Sequence, residues 1–349
     1  MKSLKSFAPL AGAMAVLLIL FQFAVPGGRF LSSENLLDLA QQISVNAILA
    51  YGMTLVILVG GIDLSVGRVV ALSGVVAVAL LPRIGAPMAA AAGLLAATSL
   101  GALNGWCAAH TRMPPFIITL ATMMVARGAA LRFNEGRPLA VADSEKWFLG
   151  IGNARLGGFA PMPVLLMLGA FAASAILLHR TRFGQHLYAI GGNREAARFT
   201  GINLAFHETL VYVIASFFAG LAGMIHASQL YSAEPASGEG FELNAIAAVV
   251  VGGTSFSGGI GTIPGTLLGA VIIGQRTMPP ALERCLFLIP AALLAGLITK
   301  DTFTTGHHIG IDARAAGLAV AVLATWRKAP FWLVIVGGVG TTALIRLFV

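Results

Sequence analysis

A single carboxylate, Asp63, interrupts a glycine-rich and otherwise apolar stretch at residues 60–67. An ionised side chain between two apolar runs is costly, so it needs a compensating role. One interpretation is that Asp63 caps a helix beginning near Leu64 by accepting hydrogen bonds from its first free N–H groups. The other is that Asp63 contacts a polar substrate directly. Residue type and spacing leave both interpretations open.

The same glycine pattern occurs twice in the chain. Residues 59–67 and 251–259 both fit VGGxxxSxG, with Ser65 and Ser257 at the serine position. Transporters built from internal repeats often place glycine-broken helices beside the substrate. The pattern favours a pair of broken helices, and chance similarity between glycine-rich membrane segments is the alternative.

A polar stretch at residues 193–201 predicts a short surface helix. Asn193 is a favourable N-cap, and Glu195 lies in the first turn. Gly201 can take the left-handed conformation that ends a helix. Such a helix can enter a cleft on another protein.

The same helix carries features of a docking surface. Arg194 and Arg198 are four residues apart, so they share one face and can present positive charge to an acidic partner. Ala196 and Ala197 are small enough to allow close approach. The alternative is a basic helix that lies on lipid headgroups.

The sequence offers no pattern for catalysis or metal binding. Cys107 and Cys285 have no metal-ligand spacing, and the seven histidines form no HExxH pattern. Neither a GxSxG nucleophile motif nor a Walker A motif occurs. We expect no catalytic residue, metal, cofactor or ATP site on this chain. Any energy it uses comes from a separate ATPase subunit or from a gradient.

The elements that must position these motifs are membrane helices. Hydrophobic residues make up 57% of the 349 residues and charged residues only 10%, far from the composition of a soluble domain. The basic residues behind the net charge of +8 are scattered between apolar runs, which argues against a nucleic-acid partner. We predict an all-α, polytopic transmembrane helix bundle in contact with membrane lipid.

Apolar runs between polar breaks predict about nine helices in the first part of the chain and about three in the C-terminal part. The first run, 9–26, is interpreted as a retained helix because no signal-peptide cleavage site accompanies it. The predicted runs are 9–26, 41–60, 66–81, 86–109, 114–131, 161–179, 208–229, 243–256, 262–274, 284–299, 313–326 and 331–348.

Alternation of these runs predicts a topology in the cell inner membrane. With a cytoplasmic N-terminus, residues 180–206 lie in the cytoplasm and residues 132–160 lie outside. Lys and Arg are slightly more numerous in the loops placed inside, which is a weak positive-inside bias.

Several blocks of sequence together resemble one known family. Their order and spacing are similar to those of the ribose-type permeases of ABC sugar importers, over about residues 9–274. Asn244 departs from the family, where Asp is common, so an ion pair at that position is in doubt. The blocks are GIDLSVG (61–67), LNG (103–105), PFIITL (115–120), RTRFGQHLYAIGGNREAARFTGI (180–202), GFELNAIAAVVVGG (240–253) and GTIPGT (261–266).

This resemblance implies a function and a set of partners. The chain would be a permease subunit that moves a monosaccharide, with ATP hydrolysed on a cytoplasmic ABC ATPase subunit docked at residues 193–201. A periplasmic or extracellular sugar-binding protein and a second permease subunit, identical or different, would complete the importer. The residues expected along the translocation path are Asp63, Ser65, Asn104, Asn244 and Ser257.

The likeness stops after Gly274, where Arg276, the pair Pro279-Pro280 and Glu283 interrupt the apolar pattern. Residues 275–349, including the run PALERCLFLIPAALLA at 280–295, resemble the small AzlD-type subunit of branched-chain amino-acid exporters. We therefore predict a permease domain at 1–274 and an AzlD-like segment at 275–349.

The origin of this segment has three explanations: a divergent permease terminus, a natural fusion, or a chimeric sequence. Two further functions accordingly stay open beside the sugar importer. One is a gradient-driven component of a branched-chain amino-acid exporter. The other is a nonfunctional hybrid that only folds into the membrane.

Overall fold

The computed structural model describes residues 12, 22, 30–111, 113–274, 302, 304–305, 308–309, 313–327 and 331–346. Within these residues, thirteen α-helices form nearly all of the regular structure. The prediction of an all-α polytopic membrane bundle is confirmed. The predicted run 284–299, and the run 9–26 apart from residues 12 and 22, lie outside the described residues.

Six helices of the described part are long and apolar enough to cross a bilayer. They are α1 (Ser33–Leu58), α2 (Val66–Ile84), α3 (Ala86–His110), α4 (Pro115–Arg132), α6 (Met162–Arg180) and α9 (Leu204–Gln229). Shorter helices lie between and after them. These are α5 (Lys146–Asn153), α7 (Arg182–Gly192), α8 (Arg194–Phe199), α10 (Phe241–Val251) and α11 (Ile263–Gly274).

Helix α1 begins earlier than its hydrophobicity predicts, at Ser33 instead of near residue 41. Its first turns contain Glu34 and Asp38, which a search for apolar runs passes over. Ser32 caps the helix, because its Oγ accepts a hydrogen bond from the Asn35 backbone N–H at 3.4 Å. Capping, rather than hydrophobicity, sets this boundary.

Helices α3 and α9 pack in opposite directions. Gly105 of α3 lies beside Thr209 near the start of α9, and Gly93 lies beside Met224 near its end. A Cβ at Gly105 would come within 2.6 Å of the Thr209 carbonyl oxygen, so glycine is needed for this approach. The bundle therefore has two ends, named here the 181–203 end, at the start of α9, and the 133–161 end, at its finish.

Short strands and hydrogen bonds hold the 133–161 end together. Strand β1 (Leu139–Ala140) pairs with β4 (Ser232–Ala233), and β2 (Arg155–Leu156) pairs with β3 (Ala160–Pro161), both antiparallel. The Gly152 N–H donates to the Ser228 Oγ at 2.8 Å. These contacts hold the loop after α4 against the C-terminal end of α9.

Two glycine-rich connections contact each other at the 181–203 end. One joins α1 to α2 at residues 59–65, and the other joins α10 to α11 at residues 252–262. The Gly259 N–H donates to the Leu58 carbonyl oxygen at 2.9 Å. The hydroxyls of Thr54 and Thr266 are 2.7 Å apart and join α1 to α11. The repeated VGGxxxSxG pattern thus marks two helix breaks that lie side by side.

The chain divides into two compact units, Met1–Pro279 and Pro280–Val349. In the second unit, α12 (Ala313–Trp326) and α13 (Phe331–Arg346) pack as a pair, with Gly317 against Gly338 and Thr342. Strand β5 (Thr304–Thr305) pairs with β6 (His308–Ile309). The domain boundary after residue 274 stays a prediction.

Candidate functional site

Asp63 is completely buried in the connection between α1 and α2. Its Oδ1 accepts hydrogen bonds from the Ser65 backbone N–H at 2.9 Å and from the Ser65 hydroxyl at 2.6 Å. Ser65 is the residue just before α2, so Asp63 binds the N-cap residue rather than the N–H groups of the first turn. The carboxylate therefore shapes the break itself.

A polar network continues from Ser65 into the bundle. Asn104 of α3 donates its side-chain N–H to the Ser65 Oγ at 3.0 Å, and the Thr122 hydroxyl of α4 donates to the Asn104 Oδ1 at 2.5 Å. All of these side chains are buried. Buried polar groups that satisfy one another fix a unique packing, so this network holds the break against α3 and α4.

Two buried oxygens near the break have no hydrogen-bond partner among the described residues: Asp63 Oδ2 and the Tyr212 hydroxyl. Tyr212 lies on α9, and a Cβ at Gly61 would be 2.5 Å from its hydroxyl. Orphan polar groups are uncommon in folded proteins and mark hydrated or functional positions. The break therefore keeps unused hydrogen-bonding capacity.

The five residues predicted along the translocation path do not share one site. Three of them form the network above. Asn244 is half-buried on α10, and Ser257 is exposed in the 252–262 connection. No hydrogen bond within the described ranges links either of them to the Asp63 network. Thr122 belongs to the network, although no sequence pattern singled it out.

Residues 193–201 contain the short helix α8, capped at both ends. Asn193 Oδ1 accepts a hydrogen bond from the Ala196 N–H at 2.9 Å. Gly201 has a φ of +82°, in the left-handed region that glycine favours. Glu195 lies in the first turn, where a negative charge stabilises the helix N-terminus.

Arg194 attaches α8 to the bundle. Its guanidinium binds both carboxylate oxygens of Glu208 on α9, with Nη2 3.0 Å from Oε2 and Nη1 against Oε1. The Glu208 side chain is only 6% exposed, so Arg194 supplies its counter-charge. Ala197 is also buried. Ala197 therefore faces the bundle, whereas the Arg194 side chain stays 53% exposed beside Glu208, and docking of an ATPase at residues 193–201 stays a prediction.

The outer face of α8 carries Ala196, Arg198 and Phe199, all of them exposed. Phe199 is 85% exposed, which leaves a large aromatic side chain in contact with solvent. An exposed aromatic beside a charged residue is typical of protein contact surfaces. No sequence pattern singled out Phe199, although it lies within the 193–201 block.

Two histidines contact each other beside α8. His186 Nδ1 lies 2.9 Å from His207 Nε2, and His207 Nδ1 lies 2.7 Å from the Asn203 carbonyl oxygen. Since a carbonyl only accepts, His207 donates through Nδ1, and the Nε2 of the neutral ring is then the acceptor for His186. Phe183 stacks on His207 with ring centres 5.3 Å apart. This cluster joins α7 to the start of α9 and so supports the helix between them.

Helix α7 contacts both glycine-rich connections. The Tyr188 hydroxyl donates to the Gly261 carbonyl oxygen at 2.6 Å, and burial raises the pKa of this hydroxyl, so it remains a donor at neutral pH. Gly191 packs against the backbone of Leu58 and Gly259, where a Cβ has no room. The segment that carries α8 is therefore in direct contact with both breaks.

A charged cluster lies where the loop after β4 returns to the bundle. Arg68 of α2 is 5% exposed, and its guanidinium donates to Glu239 Oε2 at 2.7 Å and to the Ala236 carbonyl oxygen at 2.9 Å. The Glu239 side chain is 74% exposed. Hydrogen bonding from Arg68 lowers the pKa of the Glu239 carboxyl, and the charge of Arg127 on α4 adds a smaller effect in the same direction.

Comparison with known families gives two matches. Residues 35–277, which include all of α1 but its first two residues and the whole of α2 to α11, match the family described as branched-chain amino acid transport system / permease component. The chain belongs to this permease family. Residues 241–346 match the family described as branched-chain amino acid transport protein (AzlD). Both predicted resemblances are confirmed, and the AzlD match begins inside the permease match.

Curated relatives of this permease match most of its length. The ribose import permease protein RbsC of Escherichia coli (strain K12) is 43% identical over 267 residues, which cover 75% of this chain and 82% of the relative. RbsC of Bacillus subtilis (strain 168) is 42% identical over 272 residues, 78% and 83% of the two chains. The D-allose transport system permease protein AlsC of Escherichia coli (strain K12) is 38% identical over 263 residues, 75% and 79%. No solved structure gives a significant match.

Proposed function

We propose that this multi-pass permease is the membrane subunit of an ABC importer for a monosaccharide, a pentose or hexose of the ribose type. The observation that carries the proposal is the 43% identity to a ribose import permease over three-quarters of the chain. The capped helix α8 adds support, because it is attached to α9 by an ion pair and presents an exposed aromatic residue and a charged residue.

The importer requires partners that hydrolyse ATP and deliver the sugar. This chain has no Walker A motif, so ATP binds a separate cytoplasmic ABC ATPase subunit, which docks on α8 through Phe199 and Arg198. An external sugar-binding protein and a second permease subunit complete the assembly. The bundle lies in the cell inner membrane, and its 181–203 end faces the cytoplasm.

The contacts of α8 give the proposal a mechanical basis. Movement of the ATPase displaces α8, and the Arg194–Glu208 ion pair transmits that displacement to α9. Helix α7 moves with it and contacts both glycine breaks through Tyr188 and Gly191. Alternating access then proceeds by rearrangement at the breaks, where the backbone is already irregular.

Reconstitution with a candidate ATPase tests the proposal. We expect the permease to co-purify with the ATPase, and proteoliposomes that are given the sugar-binding protein to take up D-ribose only when ATP is supplied. Phe199→Glu should abolish ATPase binding, whereas Phe159→Glu, at the 133–161 end and 68% exposed, should leave binding unchanged. ATP-independent uptake, or equal binding by both variants, would overturn it.

The match of residues 241–346 to AzlD favours a second candidate function, a component of a branched-chain amino-acid exporter. That function predicts leucine efflux from proteoliposomes that collapses when the proton gradient is removed. It also predicts that Phe199→Glu has no effect, since no ATPase takes part.

A further inference from the structure

A cavity of about 380 Å³ lies at the 133–161 end of the bundle, between α1, α5 and α9. Its volume is within the range of about 300–1,000 Å³ that is usual for small-molecule sites, which are mostly apolar. This cavity differs, because every described residue that lines it has a polar side chain. The lining residues are Asp38, Gln41, Gln42, Asn153 and Gln229. Such a lining favours a ligand that forms hydrogen bonds over most of its surface.

The cavity lies where helix α1 passes from polar to apolar sequence. Its lining residues on α1 are all among the first ten of that helix, and the side chains that follow, from Ile43 to Val45, are buried. Asn153 and Gln229 are the last residues of α5 and α9. The 26 residues of α1 are about 39 Å long, about 9 Å more than the hydrocarbon core. The polar turns therefore lie at the edge of the hydrocarbon, within reach of water.

The charge of the cavity favours a neutral ligand. Asp38 is the one charged residue in the described lining, and its Oδ1 lies 3.5 Å from Nη2 of Arg155 in the neighbouring loop. A phosphate or a carboxylate would meet this carboxylate and would find no cation in the described lining. A small cation would have to compete with Arg155 for Asp38. An uncharged polar solute meets neither obstacle.

Four carboxamides supply the hydrogen-bonding groups of the cavity. Asn153 has a fixed orientation, because its Nδ2 donates to the carbonyl oxygens of Ser228 at 2.7 Å and Leu149 at 3.2 Å. Both of its side-chain N–H bonds are then in use, and Oδ1 remains to accept from a ligand. Within the described part of the chain, no hydrogen bond occupies the side-chain amides of the three glutamines. The cavity thus offers one oriented acceptor and three groups that can donate or accept.

We propose that this cavity is an outward-facing subsite for the hydroxyls of a monosaccharide, occupied before the solute enters the bundle. The inference rests on the proposed function, which places the 133–161 end outside, and adds the residues that contact the sugar there. A sugar hydroxyl both donates and accepts, and a carboxamide complements it with either of its polar atoms. Each such bond replaces one to water, so binding is weak and the sugar is released readily.

Protection from thiol labelling tests whether sugar enters the cavity. In a chain with Cys107→Ala and Cys285→Ala, Gln42→Cys places one thiol in the cavity wall, at an exposed position, and three carboxamides remain. The matched control is Phe159→Cys, which lies between β2 and β3 at the same end, 68% exposed and outside the cavity lining. The probe is a charged, membrane-impermeant thiol reagent, which reaches both positions from the same side.

We expect D-ribose to slow labelling at position 42 at least about threefold, because mass action leaves about a third of the sites free once the solute reaches about twice its dissociation constant. Labelling at position 159 should not change. Glycine betaine, which has no hydroxyl, should slow neither at equal osmolarity. Equal slowing at both positions, or none at position 42, would overturn the proposal. Failure of position 42 to label without solute would overturn it too, since the cavity would then be closed.

Loss of a carboxamide tests the hydroxyl contacts. Gln229→Leu keeps a similar volume but removes a donor and an acceptor, so D-ribose should no longer protect position 42. Gln41→Leu, on a different helix, should have the same effect and remains a test if the first variant does not fold. Gln185→Leu makes the same chemical change at an exposed position of α7, at the 181–203 end, and should keep the protection. Full protection in both cavity variants would overturn the subsite.

The labelling experiment uses neither ATP nor an ATPase, so it separates the subsite from the proposed function. Protection by D-ribose without ATP-driven uptake would count against the importer alone. ATP-driven uptake of D-ribose without protection at position 42 would count against the subsite alone.

Discussion

Arg194 on α8 and Glu208 on α9 form a two-point ion pair, and the Glu208 side chain is 6% exposed. A carboxylate buried to this degree needs a charged partner to remain ionised. The pair makes the position of α8 depend on α9, which carries Tyr212 one turn beyond Glu208. A displacement of α8 therefore reaches the Asp63 break through a helix and not through a flexible loop.

Reversing one charge of this ion pair should uncouple sugar transport by the permease from ATP hydrolysis by its partner. Arg194→Glu places two carboxylates together and should cost about 1–3 kcal/mol of stability in α8 and its contacts. ATP-driven uptake should fall strongly, while the bundle still inserts into the membrane. Uptake in proteoliposomes and the unfolding temperature in detergent are the two measurements.

The double variant Arg194→Glu with Glu208→Arg should recover part of both losses, because the ion pair is restored with its charges exchanged. Arg83→Glu is the control for charge alone, as Arg83 is exposed near the C-terminal end of α2, away from α8. If uptake and unfolding temperature of the double variant are no higher than those of the worse single variant, the ion pair does not link α8 to α9.

Asn104→Ala should destabilise the bundle by about 1–3 kcal/mol. The change leaves the buried hydroxyls of Ser65 and Thr122 without their shared partner. Ser99→Ala on the same helix removes only an exposed hydroxyl and should have little effect. Thermal unfolding in detergent compares the two, and similar unfolding temperatures would show that the network contributes little.

Gly105→Leu should prevent normal packing of α3 against α9. A side chain at this position meets the backbone of Thr209, which cannot move without shifting α9. Gly128→Leu on α4 meets open space and should fold normally. Size-exclusion profiles after extraction should show aggregation for the first variant alone, and a monodisperse peak for both would contradict the packing.

Removal of residues 280–349 should leave the first compact unit folded, since this division follows the contacts of the chain. We expect the shortened protein to keep its monodisperse size-exclusion profile and its unfolding temperature in detergent. Loss of both would show that the first unit needs the second. Leucine transport lost with the segment while D-ribose uptake persists would assign the two functions to separate units.

The long helices could be predicted from hydrophobicity, because the ability to cross a bilayer depends on the length and apolar composition of the local sequence. The runs 66–81 and 86–109 begin where α2 and α3 begin. The start of α1 could not be predicted from hydrophobicity, because polar residues after Ser32 fold as helix through capping and tertiary contact. The caps of α8 were visible from Asn193 and Gly201, since capping depends on neighbours in sequence.

The sites were harder to predict because they join distant segments. Asp63 was conspicuous as a lone charge in an apolar stretch. Its network also includes Thr122, which no sequence pattern singles out and which reaches Asn104 only through the packing of α4. Ala197 turned inward because α8 lies against the bundle on that side.

Leu58, Gly191 and Gly259 meet through backbone atoms, with a carbonyl bonded to an N–H and a glycine pressed between them. No side chain takes part, and a Cβ at Gly191 would overlap the Leu58 carbonyl oxygen, so substitution can break this junction but cannot adjust it finely. Partner preference, by contrast, can change at an exposed side chain such as Phe199 without disturbing this contact. Substitutions that alter what the protein binds are therefore expected at its exposed side chains, and not at the backbone contact that joins α7 to the two connections.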